Sequence, residues 1–203
     1  MKLEIPDRHF SGYIFDCDGT IADTMPLHYR AWSKAMTDFG GQFPENLFYE
    51  WGGKPTSVIV EQLNERFGLV LDVEETVNRK EDHYLTLISE VKAIMPVLEI
   101  ARKMAGKVPI AIASGGHRRL VEATLNALGI LDIFDAVVCA EDYERGKPFP
   151  DPFLEAARRL GVPPTECIVF EDSPTGVEAA CAAGMACVLV PSAPAPNQPT
   201  TGA

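Results

Sequence analysis

Two aspartates that follow a short apolar run near the start of the chain limit its possible folds more than any other feature. The run from Tyr13 to Phe15 predicts a buried strand, and the acids follow it in the segment Phe15-Asp16-Cys17-Asp18-Gly19-Thr20. Open α/β sheets bind ligands where their parallel strands end, and Gly19 allows a sharp turn there. The segment therefore predicts Asp16 as a carboxylate nucleophile, Asp18 as an acid and base, and part of a Mg²⁺ site, with the Thr20 hydroxyl beside them. From this segment alone, a pair of carboxylates that only cap a turn remains the alternative.

The periodicity of apolar residues divides the chain into three zones. Residues 1–22 hold the first strand, residues 23–92 are helical in pattern, and residues 93–190 alternate short apolar strands with helices. Such alternation predicts a parallel sheet that helices cover on both faces. We therefore expect an α/β fold: a Rossmann-like doubly wound parallel sheet, formed by 1–22 and 93–190, with residues 23–92 inserted after strand 1 as an α-helical cap above the acidic pair. The Pro-rich residues 191–203 are expected to form a poorly ordered tail.

Spacing and the positions of glycine and proline predict the individual elements. In the cap, apolar residues at helical spacing predict a first helix over 27–39, a second that ends before Gly68 and a third over 73–88. In the core, the further predicted strands are 108–113, 136–140, 168–170 and 187–190, and the predicted helices are 120–128, 151–160 and 175–183.

Composition and charge exclude several classes of protein. The 203 residues carry a net charge of −11 and 46% hydrophobic residues, so we expect a sizeable core and neither nucleic acid nor an anionic membrane as a partner. The first residues lack the apolar core of a signal peptide, and no run approaches the length of a membrane span. Five cysteines without a CxxC pair predict reduced, buried thiols in a cytoplasmic protein. With so acidic a chain, an anionic substrate would need local cations and a metal.

Three later segments supply the remaining parts of a phosphoryl-transfer site. In the segment 112–117, an apolar strand enters a small-residue turn whose backbone N–H groups, with the Ser114 hydroxyl, can hold a phosphate. In the segment 146–152, Pro148 biases Lys147 toward an extended backbone, which makes its ammonium a fixed charge for a phosphoryl group and a carboxylate. In the segment 169–176, Glu171 and Asp172 follow another apolar strand and, with Asp16, offer oxygen ligands for Mg²⁺.

Each of these segments has a structural alternative. An ordinary strand-to-helix connection would place Ser114 near a helix cap, Lys147 would be solvated, and Asp172 would cap the following helix. Two acidic pairs at two strand ends favour the active-site interpretation. Other enzyme classes fit less well, because no Arg follows Cys17 as a cysteine phosphatase requires and no GxGxxG follows the first strand.

The four segments, in this order, resemble the motifs of the haloacid dehalogenase superfamily of phosphotransferases. The match covers the chain before the tail, with FDCDGTIADT as the first motif, Ser114 as the second, Lys147 as the third and Glu171-Asp172 as the fourth. The resemblance implies that Asp16 is the nucleophile, that Asp18 is the acid and base, and that Asp16 performs phosphoryl chemistry and not dehalogenation. It also implies that Mg²⁺ is held by Asp16, the Asp18 backbone carbonyl and Asp172.

Within that superfamily the chain is similar to the branch of β-phosphoglucomutase and small sugar-phosphate phosphatases. The stretch 27–32 resembles the first cap helix of that branch, in which His28 and Trp32, one turn apart, would both face the site. In the alternative, Trp32 packs in the cap core and His28 lies on the surface. The stretch 53–56 resembles the substrate-specificity loop of the cap. The expected substrate-binding residues are Thr20, His28, Trp32, Gly53, Lys54 and Gly115.

Two departures from that branch bear on the reaction. Mutases carry a longer polar loop after the serine of the second motif, usually with a Lys, whereas Gly115, Gly116 and His117 follow Ser114 here. The cap loop also lacks the arginine that is typical of mutases. Both departures favour hydrolysis of a small phosphorylated metabolite, such as fructose 1-phosphate, with β-phosphoglucomutase as the alternative; the sequence leaves the oligomeric state open.

Overall fold

Seven strands and eight α-helices make up the computed structural model, which describes residues 3–52 and 54–191. The strands are β1 Gly12–Phe15, β2 Ala22–Asp23, β3 Lys92–Ala93, β4 Ile110–Ala113, β5 Ala136–Val138, β6 Cys167–Glu171 and β7 Ala186–Leu189. The helices are α1 Met25–Asp38, α2 Glu45–Glu50, α3 Thr56–Phe67, α4 Val73–Leu87, α5 Met95–Met104, α6 Arg118–Ala127, α7 Asp151–Leu160 and α8 Pro174–Ala182.

Five of the strands form a parallel sheet in the order β5-β4-β1-β6-β7. The three central strands read GYIF, IAIA and CIVFE, and all of their residues are buried, as in sheets that helices cover on both faces. One face packs against α5 and α6 through Val97 and Val121, and the other against α7 and α8 through Phe153 and Ala179. The predicted α/β, doubly wound fold is confirmed, and β1 lies at its centre.

The helical insertion leaves the sheet domain directly after β1. Two short strands pair antiparallel where the chain leaves and returns, with Ala22 opposite Ala93 and Asp23 opposite Lys92. Between them, α1 to α4 enclose a separate apolar cluster that includes Trp32. The predicted domain boundaries, after residues 22 and 92, fall within this pair of strands, and the division into two domains stays a prediction.

Several elements differ from the sequence-based expectation. The helix α2 has only six residues, too few for a periodic pattern to reveal it. The sequence-based prediction does not include the helix α5. Its Pro96 lies in the first turn, where backbone N–H groups have no partner within the helix and proline is therefore tolerated. The strand β4 begins at Ile110 and not at residue 108.

All five cysteines are free thiols, and Cys181 on α8 is exposed, contrary to the expectation that all are buried. Across residues 3–52 and 54–191, no helix is both long and apolar enough to cross a bilayer. The expected tail from 191 to 203 lies outside the described residues except for Pro191, and the expected substrate-binding residue Gly53 also lies outside them.

Candidate active site

The first acidic segment turns sharply at the centre of the sheet edge. Asp16 follows β1 directly, its backbone N–H donates to the carbonyl of Phe170 at 2.9 Å, and its side chain is buried. Gly19 has a φ of +81°, a left-handed conformation that few other residues adopt. A Cβ at Gly19 would lie 2.2 Å from Oδ2 of Asp172. Position 19 therefore requires glycine for two reasons: the turn, and the close approach of the second acidic pair.

The ammonium of Lys147 joins the two acidic pairs. Its Nζ donates to Oδ1 of Asp16 and to Oε1 of Glu171, each at 2.6 Å, and the lysine side chain is only 9% exposed. Burial alone would lower the pKa of Lys147, but the two carboxylates outweigh burial and raise it. Lys147 is therefore a fixed, charged group next to Asp16, which excludes the alternative of a solvated lysine.

Three carboxylates converge beside this ammonium. Asp16, Glu171 and Asp172 each offer an oxygen atom, and these atoms lie within 4.8 Å of one another. Burial raises the pKa of Asp172 to about 6 and that of Asp16 well above its usual value, and Glu171 adds to both effects by charge repulsion. A set of crowded carboxylate oxygens fits a hard divalent cation. These are the three acids that the sequence offered as oxygen ligands, whereas the set implied by the family resemblance has the Asp18 backbone carbonyl in place of Glu171.

The N-terminus of α8 fixes Glu171. The backbone N–H of Ser173 and its hydroxyl donate to Oε2 of Glu171 at 2.6 and 3.0 Å, which leaves Oε1 to Lys147. The backbone N–H of Gly176 in turn donates to the Ser173 hydroxyl oxygen at 3.0 Å. Ser173 is thus the side chain that caps α8, while Glu171 and Asp172 face the site.

Asp18 lies in a different environment because its carboxylate turns toward the inserted helices. Its Oδ1 accepts hydrogen bonds from the Thr24 hydroxyl at 2.6 Å and from Nε2 of His28 at 3.1 Å. Nδ1 of His28 is 3.0 Å from the Nζ of Lys80 on α4. Burial tends to raise the pKa of Asp18, but His28, Thr24 and Lys80 outweigh it and lower that pKa to about 2. Asp18 is therefore ionised in this arrangement.

The protonation of His28 follows from its two partners. Burial and the neighbouring Lys80 ammonium lower the pKa of His28, so the ring is neutral near pH 7. Since Lys80 can only donate, Nδ1 accepts and Nε2 carries the proton given to Asp18. The ring also stacks on Tyr84, with centroids 4.2 Å apart and planes 11° from parallel. His28 is thus tied to Asp18 and is not a surface residue.

Trp32, one turn after His28, does not reach the site. It is 2% exposed and packs edge-on against Phe43, with ring centroids 5.4 Å apart, in the apolar cluster of the inserted helices. The structure contradicts a substrate contact for Trp32 and supports the alternative, a core residue of the cap. The reason is that α1 is buried on two sides: His28 points to the sheet edge, whereas Trp32 fills the space toward Phe43.

The other expected substrate-binding residues also differ in placement. Thr20 is fully buried and donates to Oδ1 of Asp172 at 3.1 Å, so it holds that carboxylate and its own hydroxyl is not exposed to a substrate. The contacts given for the Lys54 ammonium are within the cap, 2.9 Å from Oε1 of Gln62 and 5.2 Å from the Trp51 ring centroid. Gly115 is exposed, and a Cβ added to it would meet no atom within 4 Å.

Ser114 ends β4 beside the acidic turn. It is 1% exposed, its N–H donates to the carbonyl of Val138, and its hydroxyl oxygen accepts from the N–H of Gly116 at 3.0 Å. The Tyr143 hydroxyl donates to the Ser114 carbonyl at 3.0 Å and steadies the loop. A Cβ at Gly116 would lie 3.7 Å from Oδ2 of Asp18, so this loop and Asp18 border the same space.

Sequence reasoning missed Thr24, Lys80 and Ser173. A usable signal existed for Lys80, because it lies one turn from Thr76 and from Tyr84, both fully buried in α4. A lysine on a buried helix face needs an anionic or polar partner. Thr24 and Ser173 carry no comparable signal, since hydroxyl residues before helices are common caps.

Comparisons with known proteins agree with this geometry. The model of the family described as "Haloacid dehalogenase-like hydrolase" matches residues 13–190. The fructose-1-phosphate phosphatase YqaB of Escherichia coli is 36% identical over 183 residues, which cover 90% of this chain and 97% of that protein. A phosphorylated carbohydrates phosphatase of Thermotoga maritima is 30% identical, with coverage of 85% and 81%. These findings confirm the resemblance drawn from the four motifs and the predicted class of phosphohydrolase.

A solved structure shares the fold. The crystal structure of β-phosphoglucomutase from Clostridium difficile superposes with a TM-score of 0.78 at 26% identity, covering 88% of this chain and 83% of that one. That protein is named as a mutase, whereas the two relatives above are named as phosphatases. Similarity of fold alone therefore does not separate the two reactions.

We expect Gly176→Ala to reduce phosphatase activity by ~10²-fold, because a Cβ there would lie 1.8 Å from Oε1 of Glu171 and displace the Lys147 ammonium from Asp16. The measurement is kcat for phosphate release, with thermal unfolding of both proteins as a check on folding. Gly146→Ala is the matched control, since its Cβ would meet nothing closer than 3.9 Å. Equal activity of the two variants would contradict the role of Gly176.

Proposed function

Because the chain belongs to the haloacid dehalogenase-like hydrolases, we propose that it is a phosphatase that moves the phosphoryl group of a small phosphorylated metabolite to Asp16 and then to water. The observation that carries this proposal is the contrast between two aspartates two residues apart. Asp16 is held by the Lys147 ammonium at the sheet edge, while Asp18 is held by Thr24 and His28 toward the cap. One carboxylate is arranged for attack and the other for proton transfer.

In the first step, an Oδ atom of Asp16 attacks phosphorus as the bond from phosphorus to the leaving oxygen breaks. Lys147 neutralises the charge that accumulates between the carboxylate and the phosphoryl oxygens. Asp18 gives a proton to the leaving oxygen, so the metabolite departs as an alcohol and Asp16 carries an aspartyl phosphate.

In the second step, Asp18 takes a proton from a water molecule whose oxygen attacks phosphorus. The bond from phosphorus to Asp16 breaks, and inorganic phosphate and the free Asp16 carboxylate result. The pKa of Asp18, lowered to about 2, keeps its carboxylate ionised, which is the form that accepts a proton, but a carboxylate with so low a pKa is a weak base. For the acid role its pKa must rise, and the negative charge of an arriving phosphate raises the pKa of a nearby carboxyl.

The loop after β4 is proposed to hold the phosphoryl oxygens. Gly115 is open to the site, the Ser114 hydroxyl lies at the strand end, and α6 begins directly behind them. Backbone N–H groups before a helix and the positive end of its dipole favour anions. Gly115 and Ser114 are therefore the proposed phosphate cradle, a role in which a side chain at position 115 is not needed.

Mg²⁺ is the proposed cofactor. The donor set is entirely oxygen, with Asp16 and Asp172 as carboxylate ligands and the Asp18 backbone carbonyl as a third; Glu171 completes the acidic cluster. The ion would supply positive charge that offsets repulsion between these acids and a phosphate. Thr20 and Gly19 orient Asp172 for that role, one by its hydroxyl and the other by its lack of a side chain.

The proposed substrate is a small sugar phosphate similar to fructose 1-phosphate. Two relatives carry names of this class, a fructose-1-phosphate phosphatase and a phosphorylated carbohydrates phosphatase. The alternative, β-phosphoglucomutase, is supported by the likeness to the Clostridium difficile enzyme. A cytoplasmic location and the absence of nucleic acid partners, inferred from the cysteines and the charge of −11, stay predictions.

We expect Asp16→Asn to lower phosphate release from fructose 1-phosphate by at least ~10³-fold, because an amide cannot act as the nucleophile. The assay should include other sugar phosphates, nucleotides and phosphoglycolate, with Mg²⁺ present. Cys17→Ala is the control, since it keeps both acids and should retain most of the activity. Near-normal turnover by Asp16→Asn would reject the covalent mechanism.

We expect excess chelator to reduce activity by ~10²-fold or more, because a metal contributes several kcal/mol of charge stabilisation in such sites. Addition of Mg²⁺ beyond the chelator should restore the rate, and Mn²⁺ or Co²⁺ should substitute in part. Full activity in the presence of chelator would show that the acidic cluster works without a cation.

We expect hydrolysis and not isomerisation. When the protein is incubated with β-glucose 1-phosphate, Mg²⁺ and a trace of the 1,6-bisphosphate, free phosphate should appear without glucose 6-phosphate. The physical reason is that a mutase must hold a second phosphoryl group, for which an Arg is the preferred side chain. Rapid formation of glucose 6-phosphate with little free phosphate would establish the mutase.

A further inference from the structure

The inserted helix α4 and the core helix α6 meet along a seam, defined here by three side-chain contacts. Oε1 of Glu81 lies 2.6 Å from Nδ1 of His117, and Oδ1 of Asp82 lies 2.9 Å from a guanidinium nitrogen of Arg119. The hydroxyls of Tyr84 and Thr124 are 2.8 Å apart in the buried part of the seam. His117 directly follows the proposed phosphate cradle, so the Glu81–His117 contact joins the cap to that loop.

The proposed mechanism directs the leaving group of the substrate toward the cap. Asp18 is the proposed proton donor to the leaving oxygen, so the rest of the metabolite would lie on the side of Asp18 that faces away from Asp16. That side is bordered by His28 and Lys80 from the cap and by Gly116 from the loop. Glu81 contacts His117, the residue that follows Gly116, and so lies next to this loop.

Three basic side chains at this end of the site, those of Lys80, His117 and Arg119, lie near carboxylates. Burial lowers the pKa of Lys80 to about 8, and Asp18 and Glu81 oppose that effect, so both lie within electrostatic range of its ammonium. His117 contacts Glu81, and Arg119 contacts Asp82. The basic side chains that could contact a second phosphoryl group thus lie near acids, and Glu81 contacts His117 and lies within electrostatic range of Lys80.

We propose that Glu81 is a specificity residue that restricts the leaving group to one without a second phosphoryl group. Its side chain is only 8% exposed, and a buried carboxylate repels a nearby dianion strongly. It also contacts the Nδ1 atom of His117, which directly follows the loop proposed to hold the phosphoryl oxygens. This inference rests on the proposed phosphatase function and names which metabolites it accepts: monophosphates with an uncharged remainder.

The test compares fructose 1-phosphate with fructose 1,6-bisphosphate for the unmodified protein and for Glu81→Gln. The glutamine keeps the size of the side chain but removes the charge, so His117 and Lys80 become available to the second phosphate. We expect the ratio of kcat/KM for the bisphosphate to that for the monophosphate to rise by ~10-fold, which corresponds to ~1.4 kcal/mol. The gain should appear mainly as a lower KM for the bisphosphate.

Two further variants separate charge from structure. His117→Ala breaks the same contact without removing the carboxylate, so it should not raise the ratio, and the double variant Glu81→Gln/His117→Ala should lose most of the gain. Asp82→Asn removes an exposed seam contact one residue away and should leave the ratio unchanged. Thermal unfolding of each protein reports any loss of folding.

The outcomes distinguish the proposed role of Glu81 from the proposed phosphatase function. If the unmodified protein hydrolyses the monophosphate but Glu81→Gln leaves the ratio unchanged, or if His117→Ala raises it equally, the role of Glu81 is overturned while the phosphatase proposal stands. If neither the unmodified protein nor Glu81→Gln hydrolyses either compound, both the phosphatase proposal and the inference built on it are overturned.

Discussion

The buried ammonium of Lys147 holds the acidic edge of the sheet together. It contacts Asp16 and Glu171 at 2.6 Å each, where three carboxylates offer oxygen atoms within 4.8 Å of one another. Loss of one partner from such a buried arrangement typically costs ~3–5 kcal/mol, because charges remain in a poorly solvated place. Since a whole domain is stable by only ~5–15 kcal/mol, the same contact that prepares Asp16 for chemistry also keeps this edge folded.

The two aspartates of the first segment have different environments, and only that of Asp16 includes Lys147. Asp16 belongs to the sheet domain and shares its environment with Lys147, Glu171 and Asp172. Asp18 lies only two residues on, yet its partners come from β2–α1 and, through His28, from α4. The sheet therefore supplies the environment of Asp16, the proposed nucleophile, while the inserted helices supply that of Asp18, the proposed proton-transfer group. The environment of Asp18 thus depends on the inserted helices lying at the sheet edge.

The sequence predicts most of the sheet-edge site because each residue there follows an apolar strand. Asp16, Ser114 and the pair Glu171-Asp172 lie at the ends of β1, β4 and β6, and parallel strands bring such ends together. The hydrogen bonds of Glu171 to Lys147 and Ser173 could not be predicted, since no spacing rule reveals which partner each carboxylate oxygen has. Local sequence is therefore enough to predict a site residue where the order of the strands decides which residues lie next to it.

The cap residues are harder to predict because helix–helix packing decides their direction. His28 and Trp32 lie one turn apart on α1, and the sequence gives no reason to distinguish them. His28 nevertheless contacts Asp18, whereas Trp32 packs in the apolar cluster of the cap. Lys80 and Glu81 come from a helix more than 50 residues later in the chain, and their proximity to His28 and His117 depends on how α4 crosses α1 and α6. No sequence pattern within these three helices predicts how they cross.

The role of Asp16 as the nucleophile is tested most directly by a crystal structure of the protein with Mg²⁺ and beryllium fluoride, which mimics an enzyme-bound phosphoryl group. If Asp16 is the nucleophile, beryllium should be bonded to one of its Oδ atoms, with Lys147 and the Ser114 hydroxyl in contact with the fluorides and the metal beside Asp172. Beryllium fluoride bonded to Asp18 or held only by the loop after β4, with Asp16 free, would contradict the proposed role of Asp16.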